Sequence, residues 1–367
     1  MGLAAVLHEV IVKALFLSGK EDDLFLFCVA DVHTACRNVL HRYGPSNPFW
    51  FASDGAFSMM LSSMSTLRRR LGLLSAHLVV AVIALVVIGG ATRVMEAGLA
   101  CPDWPLCFGS FLPGRQMNVQ VFLEWFHRLD AFVVGIALVV MAVTTTICRR
   151  QLPQWLPWLA AGLMVLVAMQ GGLGALTVTR LLPSGVVTAH LALALTLVAL
   201  LSGLTQRLLH PAAVTAPLWW RISALLGLVS VFVQCLLGGR MATAWAGQRC
   251  LAGGEACHLV LSHRVTAMPV AVVLLVFAGA ALLAGGWARR QWPWLAGVVL
   301  LVLTQVALGV LTLRLGLSQP AVTIAHQLVA ALLIALMAAL LVRSPEGRPS
   351  PSRSVVLDDT SLEACHG

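Results

Sequence analysis

Charge is what this 367-residue sequence has least of. Only 11% of its residues are charged and 59% are hydrophobic, whereas a soluble domain carries about 25% charged and about 45–50% apolar residues. That scarcity excludes a water-soluble globule and a disordered chain. Lysine is nearly missing: Lys13 and Lys20 are the only two, so arginine supplies 22 of the 24 basic residues. Acid avoids the middle of the chain, where only Glu96, Asp103, Glu124, Asp130 and Glu255 interrupt the apolar sequence. The formal net charge of +9 does not make a nucleic-acid surface, because the arginines sit in short clusters between apolar runs. Residues 1–63 lack a run long enough to cross a bilayer, and they lack the charged start, apolar middle and small-residue cleavage site of a signal peptide.

What the chain does have is apolar runs of about 20 residues, the length that spans a bilayer as a helix. Eight can be counted, over 71–91, 124–147, 156–177, 187–206, 219–238, 259–284, 294–313 and 322–342. The expected class is therefore an all-α polytopic membrane protein. Arg68 to Arg70, Arg149-Arg150, Arg207 with Arg221, Arg289-Arg290 and Arg343 fall on one side of an eight-helix topology. By the positive-inside rule that side is the cytoplasm and holds both termini. Residues 1–63 read as an extension outside the function, since Met64 just precedes the first arginine cluster. Residues 344–367, rich in Pro and Ser, read as a disordered cytoplasmic tail.

Between these ends the sequence repeats itself. His127-Arg128 recurs 136 residues on as His263-Arg264. Gln170-Gly-Gly-Leu-Gly-Ala-Leu-Thr177 recurs 135 residues on as Gln305-Val-Ala-Leu-Gly-Val-Leu-Thr312, and His190 recurs 136 residues on as His326. Gly89-Gly90 with Arg93 has a looser echo in Gly238-Gly239-Arg240. One offset kept through three motifs implies tandem, duplicated four-helix bundles, 64–206 and 207–343.

Each unit carries one His near the outer start of its second helix and one near the outer start of its fourth: His127 with His190, and His263 with His326. Two imidazoles facing each other across a four-helix bundle suit the two axial positions of a haem iron. Zinc would want a third or fourth protein ligand, and no further Cys or carboxylate repeats alongside. Arg93, Arg128, Arg240 and Arg264 lie at the same level, suited to the carboxylates of haem propionates or to snorkelling towards headgroups.

The halves differ at one position. Glu124 precedes His127 by three residues, on the same side of the helix, whereas the equivalent residue before His263 is Val260. A carboxylate beside one pocket only implies different tasks: Glu124 can shuttle protons or stabilise developing positive charge, or simply sit at the positive end of a helix dipole. Asp130, three residues after His127, is either a partner behind that histidine or the mate of a neighbouring arginine. Cys101 with Cys107 and Cys250 with Cys257 lie in corresponding outer loops, where an oxidising compartment favours disulfides.

The stretches Gly89-Gly-Ala-Thr-Arg93, Gly98-Leu-Ala-Cys-Pro-Asp-Trp-Pro-Leu-Cys107 and Glu124-Trp-Phe-His-Arg128 resemble the haem A synthase family over about residues 71–342. The resemblance implies an oxidoreductase that converts the C8 methyl group of haem O to a formyl group, making haem A for terminal cytochrome oxidase. It implies that His127 and His190 take the substrate haem O, that His263 and His326 hold haem B, and that Glu124 is the essential carboxylate. It implies a multi-pass protein of the cytoplasmic membrane with its haem sites towards the outer leaflet. Haem O synthase, oxidase assembly and an electron donor are its implied partners. The competing readings are a bis-His di-haem cytochrome b electron-transfer subunit and a haem carrier.

Overall fold

The computed structural model describes residues 54–211 and 214–345, with side chains described from Thr66 onward. Most of the expected tail 344–367 and most of the expected extension 1–63 lie outside the described residues. Eight long helices follow one another: α1 (Asp54–Val94), α2 (Val119–Ile147), α3 (Trp155–Thr179), α4 (Ser184–Leu209), α5 (Leu218–Thr243), α6 (Cys257–Leu283), α7 (Trp292–Arg314) and α8 (Pro320–Val342). Each contains a segment long and apolar enough to cross a membrane, that of α1 being Thr66–Val94. The chain is thus an integral, multi-pass, all-helical membrane protein, and the eight apolar runs of the sequence are its eight spans. The helical backbone of α1 reaches back to Asp54, so Met64 falls within it rather than at its start.

The helices pair in two closed rings. In the first, α1 packs on α2, α2 on α3, α3 on α4 and α4 on α1; in the second, α5, α6, α7 and α8 repeat that order. The rings meet along a seam of α1, α4, α5 and α8. Faces turned away from both rings stay apolar, as lipid requires: on α6, Leu261, Val265, Met268, Val272 and Val276 are all exposed at helical spacing.

Two small-residue contacts bring the rings together. A Cβ on Gly90 of α1 would stand 1.7 Å from the side-chain oxygen of Gln327 on α8, and a Cβ on Gly239 of α5 would stand 2.7 Å from a Leu191 methyl on α4. Each ring therefore receives, against the second glycine of its Gly-Gly pair, the residue that follows the fourth-helix histidine of the other ring. At the same end of the seam as the Gly-Gly pairs, the Arg93 guanidinium donates to the Ala242 carbonyl at 2.8 Å and lies 3.4 Å over the Trp245 ring. A small hydroxyl adds a bond between the rings deeper down, where Ser202 of α4 donates to the Ala335 carbonyl of α8 at 2.7 Å, and within the first ring Ser75 of α1 donates to the Leu201 carbonyl of α4 at 3.0 Å.

The opposite end is closed by Trp220, the largest fully buried side chain. Its indole donates to the Leu340 carbonyl at 2.8 Å and packs at 5.0 Å against Phe277 and 4.8 Å against Trp287. Replacing a buried aromatic by alanine typically costs about 3–5 kcal/mol. Trp220→Ala should therefore lower the thermal unfolding midpoint of the detergent-solubilised protein markedly, and Trp220→Phe, which keeps most of the volume, should lower it less.

Candidate functional site

The four repeated histidines sit near one end of the rings, on diagonally opposed helices: His127 on α2 and His190 on α4, His263 on α6 and His326 on α8. Each is seated against a glycine of the preceding helix. A Cβ on Gly89 would stand 3.3 Å from the His127 ring, one on Gly174 3.4 Å from His190, one on Gly238 3.0 Å from His263 and one on Gly309 3.1 Å from His326. At such distances a Cβ would press on the imidazole, which would have to give by a few tenths of an ångström, so glycine at these positions lets each ring lie close against the preceding helix.

In the second ring the His263 and His326 ring centroids are 6.4 Å apart, with their planes 79° apart. Metal–imidazole bonds of ~2 Å on each side of one ion put two ring centroids roughly 6 Å apart, so this pair fits a single axially bound iron. In the first ring His127 lies within electrostatic reach of His190, and the buried Nδ1 atoms of both have no hydrogen-bond partner. Among the described residues no three His, Cys, Asp or Glu side chains converge, as a metal ion held by protein alone would require. A two-imidazole donor set needs a ligand that brings its own equatorial nitrogens, and a porphyrin does so.

Glutamines accompany the histidines. The Gln170 amide nitrogen lies 3.2 Å from His190 Nε2 and that of Gln305 lies 3.3 Å from His326 Nε2. His326 Nδ1 also lies 3.2 Å from the Gln305 carbonyl oxygen. These residues were visible in the repeated Gln-x-x-x-Gly motif, although composition alone gave them no task. Gln234 is different: it lies 3.1 Å from His263 Nδ1 and donates to the His263 carbonyl at 2.7 Å, while its oxygen accepts from Thr266 at 2.7 Å. No repeat flags it, because the corresponding residue of α1, four before Gly89, is Leu85.

The carboxylate of Glu124 is buried, at 5% exposure, and turns towards the 95–118 loop. One oxygen accepts from the Cys101 backbone N–H at 2.8 Å; the other pairs with the Arg128 guanidinium one turn on. Arg128 continues into the loop, donating to the carbonyls of Asp103 and Leu106. Asp103, inside the loop closed by the Cys101–Cys107 disulfide, in turn accepts from the Phe108 and Gly109 amides just beyond it at 2.6 and 2.8 Å. Glu124 and Arg128 therefore clamp a lid over the first ring. The second ring has no such clamp: Val260 takes the place of Glu124 and is buried at 8% exposure, and Arg264 is exposed. Its cover is a short helix, Ala246–Gly253, tied by the Cys250–Cys257 disulfide and an exposed Arg249–Glu255 pair at 2.7 Å. Of the other arginines singled out from the sequence, Arg93 is engaged in the seam, whereas Arg240 is exposed at the end of α5.

The Gly109 and Phe108 amides hold Asp103 below the usual carboxylate range. Its unfolded value is about 3.9; a depressed folded value gives stability that is complete above that pH and lost as pH falls through the folded value. Hydrogen-exchange protection of the Phe108 and Gly109 amides should therefore hold from neutral pH down to about 4 and be lost only as pH falls further, through the lowered value of the folded state. In Asp103→Ala it should be missing throughout.

The family model of the cytochrome oxidase assembly proteins designated COX15-CtaA matches residues 72–338. Among curated relatives, the haem A synthase of Sphingopyxis alaskensis is 29% identical over 320 residues, covering 71% of this chain and 88% of that protein. That of Caulobacter vibrioides is 30% identical over 317 residues, covering 70% and 91%. The match to the haem A synthase of Shewanella oneidensis, 31% identical over 188 residues, covers 46% of this chain and 56% of that protein. The matched family segment contains both four-helix rings, all four glycine-seated histidines and the Glu124–Arg128 clamp, and the chain belongs to the COX15-CtaA family of cytochrome oxidase assembly proteins.

Proposed function

We propose that this protein is a haem A synthase, an enzyme of haem biosynthesis that oxidises the C8 methyl group of haem O to a formyl group. The observation that carries the reading is the doubled seat of paired imidazoles, each against a glycine, in a chain of this family. In our reading the first four-helix unit, 64–206, takes haem O between His127 and His190. The second, 207–343, holds haem B between His263 and His326. A haem bound in the second ring supplies reversible one-electron transfer. The protein's own part is to orient and to cover. The glycine seats fix the imidazoles, and the Glu124–Arg128 clamp holds the disulfide-closed lid over the ring that does chemistry, where it excludes water. Glu124 is then the essential carboxylate, placed between the lid and His127. Arg240 and Arg264, exposed beside the second ring, are our candidates for its propionates. Arg93 and Arg128 act at the rim of the first through the seam and the lid.

The arginine clusters between α2 and α3, α4 and α5, and α6 and α7 lie at the end away from the histidines, which supports a cytoplasmic position for that end and an outer-leaflet position for the haems. Haem O carries a long apolar tail, so entry between helices from the bilayer suits it as a substrate. A haem O synthase is its natural source and an oxidase the natural destination of haem A. A bis-His di-haem cytochrome b subunit would bind haems equally in both rings, and the restriction of the clamp to the first ring argues against it; a haem carrier, in which one pocket merely carries its ligand, would release haem O unconverted.

Expression with a source of haem O, followed by chromatography and mass spectrometry of the extracted haems, tests the assignment. Haem A should accumulate, and Glu124→Ala should abolish it. Two haem B sites without conversion would establish the cytochrome instead. His263→Ala or His326→Ala should remove the absorption of the resident haem, whereas His127→Ala or His190→Ala should spare it. Gly238→Val or Gly309→Val should likewise remove it by unseating the imidazole. Gly279→Val, placed where a Cβ meets nothing within 4 Å, should not.

A further inference from the structure

We infer that Asp130 is the positioning partner of His127, accepting the Nδ1 proton of that imidazole when its Nε2 faces an iron. The inference rests on the reading that the first ring takes a haem. The sequence left Asp130 with two roles, a partner behind His127 or the mate of a nearby arginine. The arginine that follows His127 is engaged elsewhere, on Glu124 and on two lid carbonyls. Asp130 is only 8% exposed, within a membrane-spanning helix, and no hydrogen bond or ion pair reaches it among the described residues. A carboxylate left so is costly. It shares the buried stripe of α2 with Val134, Ala137 and Met141 and stands one turn from His127. Helical side chains lean towards the N-terminal end of their helix, which tilts Asp130 back towards the histidine.

The complementary vacancy is on His127, whose buried Nδ1 also lacks a partner. An imidazole that ligates through Nε2 carries its proton on Nδ1, and ligating histidines give that proton to a carboxylate or carbonyl. The second ring is built differently. There Gln234 turns its amide nitrogen, a donor, towards His263 Nδ1, and its oxygen accepts from Thr266, the equivalent of Asp130, so among the described residues no acceptor stands behind that imidazole. The first ring has lost both: Leu85 stands in place of Gln234, and an acid stands in place of Thr266. A carboxylate that accepts the Nδ1 proton of a ligating histidine makes it a stronger donor than a histidine with no such acceptor and favours the more oxidised iron. The two rings are thereby given different potentials.

The test is a redox titration of the purified full-length chain carrying haem in both rings, produced with a haem O source. The wave lost in His127→Ala belongs to the first ring. Asp130→Asn and Asp130→Ser should keep that haem, move its wave alone to more positive potential, and leave the second wave in place. Asp130→Glu, which retains the carboxylate, should restore the wild-type position. If the first-ring wave stays put in Asp130→Asn and Asp130→Ser, or both waves move together, Asp130 does not position His127. If no wave depends on His127, the ring assignment itself fails and the proposal falls with it.

Discussion

An imidazole placed inside an apolar helical bundle has to be held by contact, because little else there can hold it. This protein meets that constraint four times in one way: a glycine on the preceding helix lets the ring lie against backbone. The remaining polar chemistry is arranged around those seats. Gln170 and Gln305 lie at the Nε2 atoms of His190 and His326, and two disulfide-closed covers lie at the histidine ends of the rings. A side chain at any of the four glycines would press on an imidazole at 3.0–3.4 Å, so close packing contributes to the geometry of the site.

Upon that shared frame the two rings differ in everything polar that surrounds the second-helix histidine. His127 has a paired acid above it and an unpaired acid below it; His263 has valine above and a Gln–Thr pair below. Position for position the polarity is exchanged rather than added, so each ring keeps a similar size while its electrostatics diverge. An acid clamped by Arg128 and a backbone amide is tolerable at this depth because its charge is shared among fixed donors. The second ring, whose cover is closed by an exposed ion pair, needs no such anchor, and an exposed pair of this kind contributes little stability.

The fold was legible in the sequence because lipid imposes its own rule: every span must be apolar and about 20 residues long, and a one-sided scatter of arginines marks the loops. The histidines were legible because they repeat at a fixed offset. The glycine seats Gly174 and Gly309 stood inside the repeated motif, yet a contact partner on another helix has no sequence signature of its own. Gln234 escaped altogether, since its counterpart Leu85 breaks the repeat. The direction of Glu124 was also hidden. Spacing puts it on the His127 face of α2, but its engagement with Cys101 depends on how the 95–118 loop folds back, which long-range packing decides.

The seam between the rings carries a consequence of its own. Gln327 fills the hollow at Gly90 and Leu191 the hollow at Gly239, so the two crossings occupy equivalent places with different chemistry. A symmetric pair of identical four-helix subunits would have to use the same residue at both. Joining the halves in one polypeptide releases that restriction: an amide can stand at the crossing beside one ring and an aliphatic group at the crossing beside the other.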